Sequence, residues 1–404
     1  MAGQTLQDAV IVDCIRTPVG KYGGVLSGVR PDDLAALVIK TLVDRNKIDP
    51  ESIEDIYFGA GNQAGEDNRN VARMALLIAG LTFKIPGATV NRLCGSGLEA
   101  INDAAHALMI GNGNTYIAGG VESMSRAPWV IPKKAKGFDR QPEIVDTTIG
   151  WRLANPKLAA QFPLFTMGET AENLAERYNI PREEQDQFAL KSHELATRAQ
   201  NQGLFKEEIV PVPVVDKEGN QILVENDEGP RPDVSLEKLA KLKPAFREKG
   251  TVTAGNSCGL NDGAAGAVIM SSRKAKRLGL SPKVRIVATA VAGVHPSFMG
   301  LGPVPATRKA LKRANLELDD IDLVELNEAF AAQVLSCLKF MNFDATGKMN
   351  VNGGAIALGH PIGCSGARIM TTLVHEMMRR KANHGLATMC IGVGQGIATI
   401  VERI

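Results

Sequence analysis

Hydrophobic and polar positions along the chain follow a pattern that occurs twice. Ile48–Gly59 can be laid on Leu316–Asn327: each opens with acidic turn residues and runs on as an apolar, strand-type segment ending in a loop. An amphipathic helix is expected before each, over Asp32–Arg45 and Pro305–Ala314. Further along, Thr89-Val90-Asn91 matches Asn350-Val351-Asn352, both ahead of a glycine-rich turn and a helix, and Tyr116–Gly120 matches Thr388–Gly392. The matches keep the same order, which predicts two similar α/β halves, each a sheet flanked by helices. The stretch Ser125–Gly250 breaks the pattern. It carries Pro128, Pro132, Pro142, Pro156 and Pro163, a basic run Lys133-Lys134-Ala135-Lys136, and a helical pattern from Thr170 through Gln200. It reads as an insertion that covers a site. The expected division is residues 1–124, completed by 251–275, then the insertion 125–250, then 276–404.

Composition narrows the function classes. The length of 404 residues suits two or three domains. With 46 Lys plus Arg against 44 Asp plus Glu, the net charge of +2 offers no field for nucleic acid or an anionic membrane. A 44% hydrophobic content excludes wholesale disorder, and aromatics at 4% imply an aliphatic core. The six cysteines form no C-x-x-C pair and the histidines complete no zinc spacing, so reduced thiols are expected. No apolar run approaches the roughly 20 residues of a membrane span. Met1–Val10 does not read as a signal peptide and the terminal Val401–Ile404 is not a peroxisomal address, so the expected compartment is the cytoplasm.

Chemistry concentrates in four loops. Val90–Leu98 places Cys94 between a short strand and a helix marked by Leu98, Ile101, Ala105, Leu108 and Met109. A thiol at a helix N-terminus meets unpaired N–H groups, which favour thiolate, and Gly95 and Gly97 are expected to admit a substrate close to the backbone. The alternative is a buried cysteine in an ordinary turn. His360 lies in the glycine-rich loop Asn352–Gly363, held on a rigid turn by Pro361, as a base or oxyanion donor would be. Cys390-Ile391-Gly392 follows the strand Leu386–Met389, and no helix follows its glycines, which excludes a dinucleotide loop. Asn327-Glu328-Ala329-Phe330 ends its own strand, so the repeat could gather Asn327, His360 and Cys390 on one face with Cys94.

Together these segments resemble the thiolase family. The likeness runs from Arg16-Thr17-Pro18-Val19-Gly20 through Gly119–Ser125 and Thr253-Ala254-Gly255-Asn256 to the last strand. It implies a thiolase-like five-layered α-β-α-β-α sandwich of two βαβαβαββ halves with an inserted loop domain, assembled as a homodimer or homotetramer. It also implies an acetyl-CoA C-acyltransferase that cleaves 3-oxoacyl-CoA with CoA through an acyl-cysteine. Cys94 would take the acyl group and His360 its proton. Cys390 would act on the methyl carbon of acetyl-CoA, and Asn327 would hold a water that stabilises the enolate with His360. The N–H groups of Cys94 and Gly392 would form a second oxyanion hole. CoA would be a substrate, held by residues matching Met167, Arg231, Ala245, Phe246, Ala254, Cys258, Leu260, Met299, Ala329 and Phe330. No metal or cofactor is implied.

Two positions depart from many acetoacetyl-CoA thiolases, namely Thr166 where they carry histidine and Cys258 where they carry serine. Gln63–Asn70 and Asp146–Arg152 look like the branch that cleaves 3-oxoadipyl-CoA. A distal carboxylate needs a partner, and Arg152 or a lysine of Lys133-Lys134 is a candidate. The competing readings are an acetoacetyl-CoA thiolase, a ketoacyl synthase, whose site usually pairs the cysteine with two histidines, and a non-catalytic acyl-CoA or lipid carrier.

Overall fold

The computed structural model describes residues 7–133, 142–216 and 218–404. Five strands build the first half: β1 (Ala9–Arg16), β2 (Asp55–Gly59), β3 (Gly87–Val90), β4 (Thr115–Ser123) and β5 (Asn261–Ser271). They lie in the order β3-β2-β4-β5-β1. The strands β3, β2 and β4 are parallel, while β5 is antiparallel to β4 and to β1. The second half repeats this with β6 (Val284–Gly293), β7 (Leu323–Leu326), β8 (His384–Ile391) and β9 (Gln395–Arg403) in the order β7-β8-β9-β6. The counterpart of β3 is reduced to a single parallel bridge, Val324 to Met349. The halves join where Val10 and Ile11 of β1 pair with Arg285 and Val284 of β6.

Three helices punctuate each half: α1 (Pro31–Arg45), α2 (Val71–Ile78) and α3 (Ser96–Met109), then α6 (Pro303–Ala314), α7 (Ala331–Met341) and α8 (Ile362–Arg380). Both halves therefore read βαβαβαββ. Strand alternation sorts the layers. Val10 and Val12 face Leu34, Val38 and Leu76 of α1 and α2, whereas Ala9 and Ile11 face Leu98 and Ile101 of α3 and Met370 and Leu373 of α8. On the far side, Val324, Leu386 and Ile400 pack on Ala306, Ala310 and Val334 of α6 and α7. The pair α3/α8 is thus the middle layer of five. Because α8 is enclosed by both halves, Gly363 through Met377 are all buried, polar side chains such as Ser365, Thr371 and Glu376 included.

Register corrects one part of the sequence comparison. Phe58 pairs with Gly119 and Leu326 pairs with Thr388, so Gly119 is the counterpart of Thr388, and the match of Tyr116 to Thr388 is slipped by three residues. The expected helix from Thr170 through Gln200 is two helices, α4 (Met167–Tyr178) and α5 (Arg182–Asn201). Asn179 takes a left-handed conformation (φ 50°), and Pro181 disfavours helical geometry at Ile180. Between β4 and β5 the chain also forms two small hairpins, Trp129–Val130 with Val145–Asp146 and Val212–Val215 with Gln221–Val224. Lys134 and Lys136 of the basic run lie outside the described residues, and Lys133 is exposed.

The middle layer closes on glycine. A Cβ on Gly97 would lie 2.8 Å from the Gly363 carbonyl oxygen and 2.9 Å from the Ala367 nitrogen, and one on Gly120 would overlap that same oxygen. We therefore expect Gly120→Ala to destabilise the protein by about 1–3 kcal/mol through overpacking against backbone. Urea denaturation checks this, and an unchanged midpoint would show that the contact can relax.

Candidate active site

The contact between the first turns of α3 and α8 sets the site, because Cys94 lies two residues before α3 and His360 two residues before α8. On the α3 side, Ser96 Oγ donates to the Leu93 carbonyl (2.6 Å) and accepts from the Arg92 N–H (2.9 Å), while Leu93 takes a left-handed φ of 48°. These constraints turn the chain sharply at Cys94. The N–H groups of Gly392 and of Cys94 itself point at the Cys94 sulfur. Gly95 and Gly97 are occupied by protein rather than open to a substrate: a Cβ on Gly95 would sit 2.6 Å from Ile391 Cδ1, and Gly97 faces α8. Both glycines serve packing.

His360 is buried and its ring is anchored from one side. Its Nδ1 lies 2.5 Å from Ser365 Oγ, and that hydroxyl donates to the Pro361 carbonyl (2.8 Å). A hydroxyl has one proton to give, so Oγ accepts from Nδ1–H and Nε2 is left as the basic nitrogen. The backbone N–H of His360 donates to Asn261 Oδ1 (2.9 Å), and Asn261 Nδ2 donates to the Gly20 carbonyl. Burial, aided by the Arg368 charge, pushes the His360 pKa down to about 4, so the imidazole is neutral at pH 7.

The cysteines carry the opposite shift. Burial raises the Cys94 pKa above its ordinary value, and the two N–H groups only partly offset it. This corrects the expectation that the helix terminus would favour thiolate, since desolvation wins. Cys390 lies well above the ordinary thiol range because of burial and its neighbours Cys94, Cys337 and Cys258. Cys258 is pushed up to about 12 by burial and by Cys94.

Asn327 follows β7, and its N–H donates to the Thr388 carbonyl (3.0 Å), two residues before Cys390. Its side chain is buried, and neither amide atom has a protein partner among the described residues. Glu328 beside it holds the loop, accepting from Ser192 Oγ (2.7 Å), Asn350 Nδ2 (2.8 Å) and the Ile356 N–H (3.1 Å).

Many of the expected CoA contacts meet here. Met167, Met299, Ala329 and Phe330 pack in one cluster with Cys390, and Phe246 stands edge-on to Phe330 at 6.0 Å. The Cys258 N–H donates to the Ala329 carbonyl (3.0 Å), and Ala245 is tied to Val252 (2.9 Å). Ala254 is exposed on the Thr253–Asn256 turn, and the Leu260 carbonyl accepts from Tyr22. Arg231 lies elsewhere, beside a cavity of about 460 Å³ lined with Glu194, Thr197 and Arg198, and its N–H donates to His193 Nδ1 (3.2 Å). Thr166 caps α4 in a reciprocal box with Glu169.

Sequence reasoning missed Ser365, Asn261 and Glu122. Glu122 is buried and accepts from the N–H groups of Gly61 (2.8 Å), Asn62 (3.2 Å) and Gly363 (2.8 Å), which ties the end of β4 to the start of α8. A carboxylate directly after the run Tyr116–Val121 was the available signal.

Comparison with known proteins places this geometry. The family described as "Thiolase, N-terminal domain" matches residues 9–273, and "Thiolase, C-terminal domain" matches 280–403. The chain is 55% identical over 401 residues to a 3-oxoadipyl-CoA/3-oxo-5,6-dehydrosuberyl-CoA thiolase of Escherichia coli, covering 99% of this chain and 100% of the relative. It is 52% identical over 400 residues to a beta-ketoadipyl-CoA thiolase of Pseudomonas aeruginosa, covering 98% and 100%. The crystal structure of the Bacillus anthracis acetyl-CoA acetyltransferase superposes with a TM-score of 0.93 at 42% identity, covering 100% of both chains.

A neutral Cys94–His360 pair has a measurable signature. A thiolate–imidazolium pair would give an alkylation rate that levels off between the two pKa values. Here the thiol pKa lies above 9.0 and the imidazole pKa near 4. Iodoacetamide labelling of Cys94 should therefore climb with each pH unit from 6 to 9, roughly in step with the thiolate fraction. A plateau beginning below pH 7 would contradict the neutral pair.

Proposed function

The chain belongs to the thiolase family and is an acyltransferase, and on that premise we propose that it cleaves 3-oxoadipyl-CoA with CoA to acetyl-CoA and the four-carbon dicarboxylic acyl-CoA. The supporting observation is identity above half over nearly the whole chain to relatives named for that substrate.

The residues support the following sequence of steps. Cys94 attacks the C3 carbonyl while His360 Nε2 takes the thiol proton. The oxyanion at C3 is met by the N–H groups of Cys94 and Gly392, each such donor being worth roughly 10²–10³ in kcat. The C2–C3 bond breaks with its electron pair on C2, and the resulting enolate is stabilised by His360 and a water on Asn327. Cys390 then protonates C2. A thiol held neutral by burial is a suitable acid for this step, and its thiolate is a strong enough base for the next. That thiolate takes the proton of the incoming CoA, whose sulfur attacks the acyl-Cys94, and His360 returns its proton to Cys94. CoA enters as a substrate, and the steps use no metal or prosthetic group.

CoA is proposed to lie along Met167, Met299, Ala329 and Phe330, with Ala245, Phe246, Ala254, Cys258 and Leu260 along its arm and Arg231 toward a phosphate. We further propose a homodimer or homotetramer in the cytoplasm. The edge strand β3 and the exposed apolar side chains Trp129, Ile131 and Ile144 on the first hairpin support self-association. Among the described residues, no helix is long and apolar enough to cross a membrane.

Two measurements test the reading. Incubation with acetyl-CoA alone should acetylate one residue per chain, Cys94. Cys390→Ala should keep that acetylation yet lose exchange of the acetyl-CoA methyl protons with deuterated water, and normal exchange in the variant would refute the role of Cys390. For the substrate, kcat/KM for 3-oxoadipyl-CoA should exceed that for acetoacetyl-CoA at least about tenfold. Equal or reversed preference would remove the oxoadipyl reading and leave the thiolase chemistry intact.

A further inference from the structure

Arg152 sits on a polar chain that leads to both catalytic loops. Its Nη1 donates to the Thr147 carbonyl (3.3 Å), and the buried Thr147 accepts from Asn62 Nδ2 at its hydroxyl (2.9 Å). The Asn62 N–H donates to Glu122, whose other oxygen accepts from the Gly363 N–H at the start of α8, three residues after His360. Beside Asn62, the Gly61 carbonyl accepts from Asn91 Nδ2 (3.1 Å), and Asn91 Oδ1 in turn accepts from the Leu93 N–H, adjacent to Cys94.

The neighbouring residue closes the other side. Trp151 Nε1 donates to the Phe165 carbonyl (3.0 Å), two residues before Met167, whose sulfur would lie 3.5 Å from a Cβ on Gly392. Residues of left-handed φ flank this dipeptide, Gly150 at 84° and the non-glycine Leu153 at 51°. A left-handed leucine is an unfavourable backbone state, kept only where the surroundings enforce it. The tight bend therefore holds Trp151 and Arg152 between the Asn62 loop and the start of α4.

Charge singles out Arg152 further. Four arginines around these loops already have carboxylates: Arg92 has Glu99, Arg126 has Glu66, Arg16 has Asp227, and Arg368 has Glu325. Among the described residues, Arg152 has no carboxylate partner, and its one hydrogen bond to Thr147 uses Nη1. The half-buried guanidinium keeps Nε and Nη2 for a second ligand, and that edge matches the two oxygens of a carboxylate.

We propose that Arg152 binds the distal carboxylate of the dicarboxylic 3-oxoacyl-CoA and so sets the preference for a charged over a neutral acyl tail. The proposal rests on the substrate reading above and adds the residue that enforces it. Lys133 is exposed at the surface, and among the described residues no such path links it to the catalytic loops.

The test compares 3-oxoadipyl-CoA with 3-oxohexanoyl-CoA, a neutral thioester with the same number of acyl carbons, in the full-length enzyme. Arg152→Gln keeps a donor for Thr147 and removes the charge. Arg152→Lys keeps the charge and removes the fork. In Arg152→Gln the ratio of kcat/KM for the two substrates should fall at least about 30-fold, the range expected for losing a hydrogen-bonded charge pair, with KM for the dicarboxylic substrate rising. Arg152→Lys should fall between this variant and wild type. A ratio within about threefold of wild type in Arg152→Gln would overturn the proposal, as would an equal fall for both substrates, which marks a structural role. A collapse of the ratio in Lys133→Ala with Arg152→Gln unaffected would transfer the role to that lysine. A wild-type enzyme that does not prefer 3-oxoadipyl-CoA would instead refute the substrate reading itself.

Discussion

Everything at the active site depends on how closely two helix N-termini approach. The first turns of α3 and α8 touch through Gly97, Gly363 and Gly366, with Gly120 of β4 against the same point, and a Cβ on Gly366 would overlap the Leu98 backbone. Only residues without side chains allow backbone to meet backbone in this way. The chain is committed to it because each half reads βαβαβαββ and places its third helix in the shared middle layer. The two loops that feed those helices are then forced together, and they carry Cys94 and His360.

Such a junction buries polar backbone, and the surrounding residues answer that need. Glu122 takes three N–H groups across the junction, and its own pKa is driven up to about 7 by burial. Asn261, Ser96 and Ser365 take three further donors of these loops. The same enclosure explains the electrostatics. Two helix termini direct positive dipole ends at the site, yet both reactive thiols sit above their ordinary pKa and the histidine sits below its own, because desolvation opposes every charged form. The resting site is neutral, so charge develops only as protons move during reaction, where the fixed N–H groups count most.

How much of this was legible follows from the kind of signal each feature leaves. The duplication, the strand-type runs and the four reactive loops were visible because turn glycines, Pro361 and the apolar periods are local. The third match slipped because β4 and β8 are buried on both faces, so neither shows the alternation that would set its register. The break between α4 and α5 was missed although Pro181 marks it, because both flanking segments keep the helical period. Ser365 and Asn261 left no trace, since each becomes relevant only through a contact with His360 in the folded chain. The thiolate expectation failed for a related reason: helix position can be read from sequence, but the depth of burial cannot.

The insertion follows a different rule from the halves. Its ties to the loops of the second half mix glycine contacts, polar contacts and apolar packing: Gly229 fits against the Ala357 and Leu358 carbonyls, Ser192 donates to Glu328, and Met167, Ala171 and Ala175 pack with Phe330 and Cys390. The nearest neighbours of Gly97, Gly363 and Gly366 at the α3/α8 junction, by contrast, all belong to the two halves. Within the insertion, the Thr166 hydroxyl caps α4 in a reciprocal box with Glu169, which fixes the start of that helix. On the proposed reading, the duplicated halves hold the chemistry, while Arg152 in the insertion sets the charge offered to the acyl tail.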